Sequence, residues 1–276
     1  MNKIYSFIII LIAFITLSGC VDKVGSPTYF YKSQSYVVQY VQYDDIELDL
    51  FYNDLLDCFY FDNHQAIMVL CVKDGKGCDA VSEEKNNKAM YQSKCMEIND
   101  FGYEYNGSST FDKAYDHTHW YNDVTTINIT SDKDYDTEHP SGASLNDVFY
   151  LLSMSPYKFI ESGYKEKFDF HETDLSVFPD YLLEFKNILQ FGTPYGKPTN
   201  DKTLHPVYGL VSELKAEDMK LMGGYRECGR SKGGKLCYFI LCPASEPADN
   251  KIHDITVEIK DMYGNIFSDS IQITFE

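Results

Sequence analysis

The residue types best suited to chemistry gather in one span of this 276-residue chain, from His117 to Glu138. His117 and His119 stand two apart. On an extended segment both imidazoles then share a face, a spacing suited to presenting two nitrogens to Zn²⁺. A third ligand has to come from elsewhere, with His139 and Asp116 as candidates, and no His-Glu-x-x-His accompanies the pair. Downstream, Asp132-x-Asp134-x-Asp136-x-Glu138 sets four carboxylates at alternate positions. That is the oxygen-rich arrangement a flexible Ca²⁺ loop uses. Thr137 stands where such a loop needs a turn glycine, and Ala143 where it needs a closing glutamate. A solvated acidic loop accounts for the same residues. The metal candidates are thus Asp132, Asp134 and Asp136 for Ca²⁺ and His117 and His119 for Zn²⁺, with no other cofactor expected.

Covalent chemistry has weaker signals. Ser-x-x-Lys, in which a lysine activates a serine, occurs at Ser82–Lys85, Ser155–Lys158 and Ser162–Lys165. Ser155 is followed by Pro156, Ser82 lies in a charged stretch, and no Lys-Thr-Gly or Gly-x-Ser-x-Gly is present. Gly229-Arg-Ser-Lys-Gly-Gly234-Lys235 approaches a phosphate-binding loop, but Leu236 replaces the hydroxyl that would hold Mg²⁺. The segment reads better as a hairpin turn in which Gly233-Gly234 supplies positive φ. Any two of 42 acidic residues could meet as a glycosidase pair, and nothing in their spacing selects two.

The N-terminus carries the sharpest motif. Lys3 precedes an uncharged apolar run from Ile4 to Leu17, and Leu17-Ser18-Gly19-Cys20 follows. The run is short for a spanning helix of about 20 residues and suits a secretory signal. Its last four residues resemble the lipobox of bacterial lipoproteins. That resemblance implies cleavage before Cys20, a diacylglyceryl thioether on its sulfur and usually an acylated amine. Two or more acyl chains, at about 0.8 kcal/mol per buried methylene, give a stable membrane anchor. The expected layout is a signal peptide over 1–19, a lipidated tether over 20–28 and a folded region over 29–276. Gly192–His205 is the best candidate for a boundary within that region.

With Cys20 lipidated, seven of the eight cysteines remain, and outside the cytoplasm they are free to pair. Cys71–Cys78 and Cys228–Cys237 are the short-range candidates, although spacing alone does not decide connectivity. The formal net charge is -18, so nucleic acid and anionic headgroups are repelled. At 44% hydrophobic, with 23 Tyr and 18 Phe against one Trp, the chain can bury a real core rich in strands.

Those strands must position any site. Tyr36–Tyr43, Ile46–Leu50, Gln65–Val72, Phe101–Tyr105 and Asp123–Thr130 read as strands, with Asp74-Gly75 stopping the third. Gly77–Asn87 reads as a loop, Lys88–Met96 as a short element and Ser131–Pro140 as an acidic loop. Ser144-Leu-Asn-Asp147 looks like a helix start, with Leu145, Val148, Phe149 and Leu152 on one face and Pro156 ending it. Tyr181–Phe191 leans to strand, and a second helix is expected at Val211–Leu221. Leu236–Leu241 is a hydrophobic strand. Ile255–Ile259 and Ile271–Phe275 alternate about Tyr263-Gly264-Asn265 as a closing hairpin.

The expected fold is therefore mainly β: a two-layer antiparallel β-sandwich, Ig-like, with one or two short helices. The lipobox, the stretches Ile127–Tyr135 and Ser141–Asp147, and the closing hairpin resemble lipid-anchored β-sandwich proteins of Bacteroidetes envelopes. That implies the cell envelope of a Gram-negative bacterium, at the outer membrane or cell surface, and implies no activity. The expected role is a binding or structural module for an envelope protein or glycan. The alternatives are a metal-assisted or carboxylate hydrolase using His117 and His119, and an accessory subunit of an envelope assembly pairing through the hairpin.

Overall fold

The structure, a computed structural model, describes residues 29–51, 66–80, 82–103, 105–109, 118–169, 202–223, 236–249 and 251–275. In chain order its strands are β1 (Tyr29–Ser33), β2 (Gln39–Phe51), β3 (Ala66–Asp79), β4 (Tyr105–Ser109), β5 (Thr118–Trp120) and β6 (Val124–Ser131). They continue as β7 (Phe149–Ser155), β8 (His205–Leu210), β9 (Leu236–Pro243), β10 (Ile252–Asp261) and β11 (Ile266–Thr274). Helix α1 (Lys85–Glu97) follows β3, and α2 (Tyr157–Glu161) follows β7.

Among the described residues the fold is mainly β, built on two antiparallel sheets with two helices. One has the order β5-β2-β3-β9-β7-β8, the other β11-β10-β6, and β1 and β4 form a separate ribbon. The short β5 is the exception in direction, running parallel to β2. Alternation explains the smaller sheet. Along β10, His253, Ile255, Val257, Ile259 and Asp261 are buried, while Asp254, Glu258 and Lys260 face water. Its inward residues meet Ile46, Leu48, Ile67, Val69, Phe149, Leu151 and Leu241 of the larger sheet in one apolar layer. The Leu48 N–H on the outer edge of β2 donates to Asp269 Oδ2 of β11 at 2.8 Å, so a carboxylate satisfies an edge amide there.

β2 and β3 are long enough to leave this layer and build a second core. Tyr36, Val37, Tyr40 and Cys78 pack there with Tyr91, Cys95 and Ile98 from α1 and its end, and with Phe159 and Ile160 of α2. Asp100, fully buried, fixes this corner. It accepts the Tyr36 and Val37 N–H groups at 2.7 and 2.9 Å and the Tyr164 hydroxyl at 2.9 Å. Asn99 closes α1 in the left-handed region (φ 58°), and the Asp100 N–H returns to the Cys95 carbonyl at 2.8 Å.

Several elements differ from the sequence reading. Ser144–Asp147 opens no helix: Ser144 bridges Thr130, and Phe149–Ser155 is strand β7 between β8 and β9. Its buried Phe149, Leu151 and Leu152 fit a helical face and a doubly covered strand equally well, and sheet pairing decides. Val211–Leu221 forms successive turns. Asp74-Gly75 does not end β3, because the β2–β3 register jumps there: Gly77 faces Val41 and Lys73 faces Tyr43. The turn-forming residues are absorbed in a bulge. The strand expected at Phe101–Tyr105 begins at Tyr105 and runs through Asn106-Gly107. The short element at Lys88–Met96 is the body of α1. Tyr181–Phe191, the Gly233-Gly234 turn and residues 192–201 of the expected boundary lie outside the described residues, as do Cys20 and the signal segment.

Candidate functional site

The residues singled out for metal chemistry are dispersed. His119 sits buried in β5, its Nδ1 3.2 Å from the Gly223 carbonyl, while His117 lies outside the described residues. Gly223 is obligatory there, because at φ 61° a Cβ would lie 2.7 Å from both the ring and the carbonyl oxygen of Tyr238. The three aspartates each face a different partner. Asp132 accepts the Asp254 N–H at 2.8 Å, Asp134 the Ser141 N–H at 2.7 Å, and Asp136 the Glu138 and His139 N–H groups at 2.8 and 2.9 Å. These bonds fold the loop onto β10 and onto itself. Among the described residues, no group of three or more His, Cys, Asp or Glu is placed to hold a metal ion.

The proposed Cys71–Cys78 bridge does not form; both thiols are free and buried. Seven residues apart on one extended strand, they are separated by roughly 23 Å, whereas a disulfide needs Cα atoms within about 7 Å. Burial pushes the Cys71 thiol up and the Cys78 thiol up to about 12, so neither is a nucleophile at neutral pH. Cys237 lies on β9, and Cys228 is outside the described residues.

Two ionic centres emerge instead, one at each end of β10. At its start, His139 bridges two carboxylates: Nδ1 is 2.8 Å from Asp136 Oδ1 and Nε2 is 3.0 Å from Asp147 Oδ1. A carboxylate only accepts, so making both bonds at once requires both ring nitrogens to carry hydrogen. Burial opposes the charge on His139, and the two carboxylates outweigh it, raising the imidazole above its ordinary value. Beside it, Ser131 Oγ and His253 Nδ1 are 2.7 Å apart. Both residues are buried, and the His253 ring packs on Tyr135 and Phe275, so this pair joins β6 to β10 inside the fold.

The end of β10 is the more elaborate centre. There the last turn of α1, the segment entering β6 and the β10–β11 turn converge. Lys94 of α1 is buried, its side chain wholly shielded, and its Nζ donates to Asp123 Oδ2 at 2.8 Å and to Glu97 Oε1 at 3.1 Å. Met262 Sδ lies at 3.4 Å and the Tyr121 ring centroid at 5.8 Å from the same nitrogen. Asp123 Oδ1 accepts the Leu221 N–H at 2.8 Å. Burial works against the ammonium, and Asp123 and Glu97 more than offset it, so Lys94 holds its proton more tightly than a free lysine. Next to it, the buried Asp261 carboxylate accepts from Asn122 Nδ2, from the Tyr263 and Asn265 N–H groups and from Asn265 Nδ2, all within 2.9 Å. That sets the turn.

The turn delivers Tyr263 to the surface. Half of Tyr263 is exposed (51%), and its ring stacks on Tyr121 with centroids 5.9 Å apart and planes 13° apart. Tyr121 in turn meets buried Tyr40 edge-on at 6.3 Å, so an aromatic column runs from the second core to solvent. Desolvation, the bond to Tyr121 and the nearby Glu97 and Asp123 carboxylates raise the Tyr263 phenol, which stays neutral. Trp120 is buried edge-on to Tyr43 and Tyr238 and belongs to the main core.

Sequence reading missed Lys94, Asp123 and Tyr263. A lysine three residues from a polar helix end carries no pattern, since α1 (KNNKAMYQSKCME) has almost no amphipathic face. The only signal was the Tyr263-Gly-Asn turn, which places an aromatic at a hairpin tip. Comparison with protein-family models, with curated proteins and with solved structures returned no match.

Proposed function

We propose that this chain is a lipid-anchored binding module of a Gram-negative cell envelope, held to the membrane through Cys20, and that its ligand is a neutral glycan. The observation that carries the reading is the Tyr263 platform: an aromatic face half open to solvent, stacked on Tyr121 and fixed from behind by the Asp261 and Lys94 networks. A rigid ring with polar Glu97 and Asn265 beside it suits the C–H face and hydroxyls of a pyranose, and preorganisation limits the ordering cost of binding. The strongly acidic chain disfavours anionic ligands, which is why a neutral sugar is preferred over an acidic one. The protein-partner reading has less support. β10 is paired on both sides, and β11 engages Leu48 through Asp269, so the hairpin does not offer a wholly bare edge.

Two measurements test this reading. Titration of the purified protein with neutral envelope oligosaccharides, followed by calorimetry, should give saturable binding that Tyr263→Ala abolishes. Binding unchanged in that variant, or no binding to any neutral oligosaccharide, would overturn the glycan assignment. Metabolic labelling with a radioactive fatty acid should tag the wild type and not Cys20→Ala; equal label on both would overturn the anchor.

A further inference from the structure

The Lys94 centre brings together more than an ion pair requires. An amine and a carboxyl group are in contact at 2.8 Å with both residues buried. A second carboxylate, Glu97, touches the same nitrogen at 3.1 Å while 38% of its side chain stays exposed. The far oxygen of Asp123 receives a backbone N–H from Leu221 at 2.8 Å, and Leu221 is held at φ 50°. These are the parts an amide condensation needs: a nucleophile and electrophile fixed in contact, a donor where negative charge develops, and a proton carrier with access to water.

We infer that Lys94 and Asp123 are joined by an autocatalytic isopeptide bond, with Glu97 as proton carrier. The ammonium–carboxylate pair is the resting form. Transfer of one proton from Nζ to Oδ2 along their hydrogen bond gives a neutral amine and a neutral carboxylic acid without change of net charge; the two carboxylates keep the proton on Nζ at rest, and burial lowers the cost of the neutral form that reacts. The Nζ lone pair then attacks Cγ, and the carbonyl electron pair moves onto Oδ1, where the Leu221 N–H stabilises it. Glu97 accepts a proton from Nζ and returns it to the Oδ2 hydroxyl, which departs as water while the carbonyl re-forms. One C–N bond forms, one C–O bond breaks, one water leaves, and no atom changes oxidation state. The product retains the Leu221 bond on its carbonyl oxygen, and its remaining N–H points to Glu97. The link would tie α1 covalently to the entry of β6. It goes beyond the binding reading and does not depend on it.

Peptide mapping of the denatured full-length chain decides the matter. Trypsin cannot cut after an amidated Lys94. The expected product is therefore one branched species joining Ala89–Lys113 to Ala114–Lys133, lighter by one water than the two sequences together, with fragment ions placing the link at Lys94 and Asp123. Cleavage after Lys94 and full recovery of the unlinked peptides from wild-type protein would overturn the proposal. Glu97 is partly exposed, so Glu97→Gln should fold, which circular dichroism checks, and its branched species should fall at least tenfold. An unchanged yield in that variant would overturn the assignment of Glu97.

Discussion

The two ionic centres differ in depth, and β10 runs from one to the other. At Lys94, in the ion-paired resting form, the cation is sealed, its Asp123 partner is 6% exposed, and every polar atom of the pair has a fixed neighbour. At His139 the imidazole is 11% exposed and its partners, Asp136 and Asp147, are 30% and 58% exposed. Distances are nearly the same in both places. What separates them is the alternative open to each group once its partner is gone. A surface carboxylate turns to water; a sealed ammonium cannot. Hydrogen-bond length is therefore a poor guide to the energetic weight of a charged pair, and shielding is the better one.

The largest effect is expected of Asp123→Ala. It leaves the Lys94 ammonium with only the partly exposed Glu97 and strands the Leu221 N–H inside the fold, at a cost of about 3–5 kcal/mol in urea unfolding. A loss below about 1 kcal/mol would put the sealed pair on a level with the surface clasp and end the distinction. Asp100→Asn is the next largest. Asp100 is a buried carboxylate served by neutral donors, and burial raises it above the ordinary aspartate value even though the Tyr36, Val37 and Tyr164 bonds pull it down. An amide can accept only one of the two backbone N–H groups, so a loss of about 1–3 kcal/mol is expected. A loss of that size at Asp100 would also show that shielding matters for a carboxylate with no cation.

His139→Gln should cost about 0.5–1 kcal/mol, within the range of partly exposed pairs. Its pH dependence is the diagnostic part. His139 is raised above its ordinary 6.5, so its contribution is fully present below about that pH and fades as pH rises through the higher folded value. Asp136 is the mirror case. Desolvation is the largest single influence and raises it, but the His139 and backbone bonds together prevail, holding it below its ordinary 3.8. Its contribution is present above that pH and is lost as pH falls through the lower folded value. The stability difference between wild type and His139→Gln should therefore be largest in mildly acidic solution, and a difference that grows toward pH 9 would exclude the doubly bonded imidazolium. Tyr263→Ala should be smallest, with unfolding free energy changed by about 0.5 kcal/mol or less. Its loss of glycan binding would then be a loss of contact surface, separable from any loss of fold.

Where the chain alternates cleanly between apolar and polar residues, the reading from sequence and the structure agree. Val124–Ser131 and the closing hairpin carry that alternation because each has one face on the core and one in water. Reading failed where both faces are covered or neither is. β7 is buried on both sides, so its periodicity is silent. Helix α1 is polar nearly all round and is held by a few long-range contacts, Tyr91 to the Val37 carbonyl at 2.7 Å and Lys94 to Asp123. The acidic loop was legible as a loop. The direction of its carboxylates was not, because their partners Asp254, Ser141 and His139 become neighbours only once β10 and the loop have folded.

By itself the sequence determined composition, charge, the lipobox resemblance at Cys20 and the mainly β character of the region after it. Those are properties of local residue order, and local order is enough when a motif is contiguous or a strand has one wet face. Tertiary structure alone decided that Lys94, Glu97, Asp123 and Leu221 share one shielded space, that Tyr263 stands on Tyr121, and that Cys71 and Cys78 look into different cores. Each of these joins segments by packing, and burial, which sets whether a charge is cheap or costly to strand, is a property no single stretch of chain possesses.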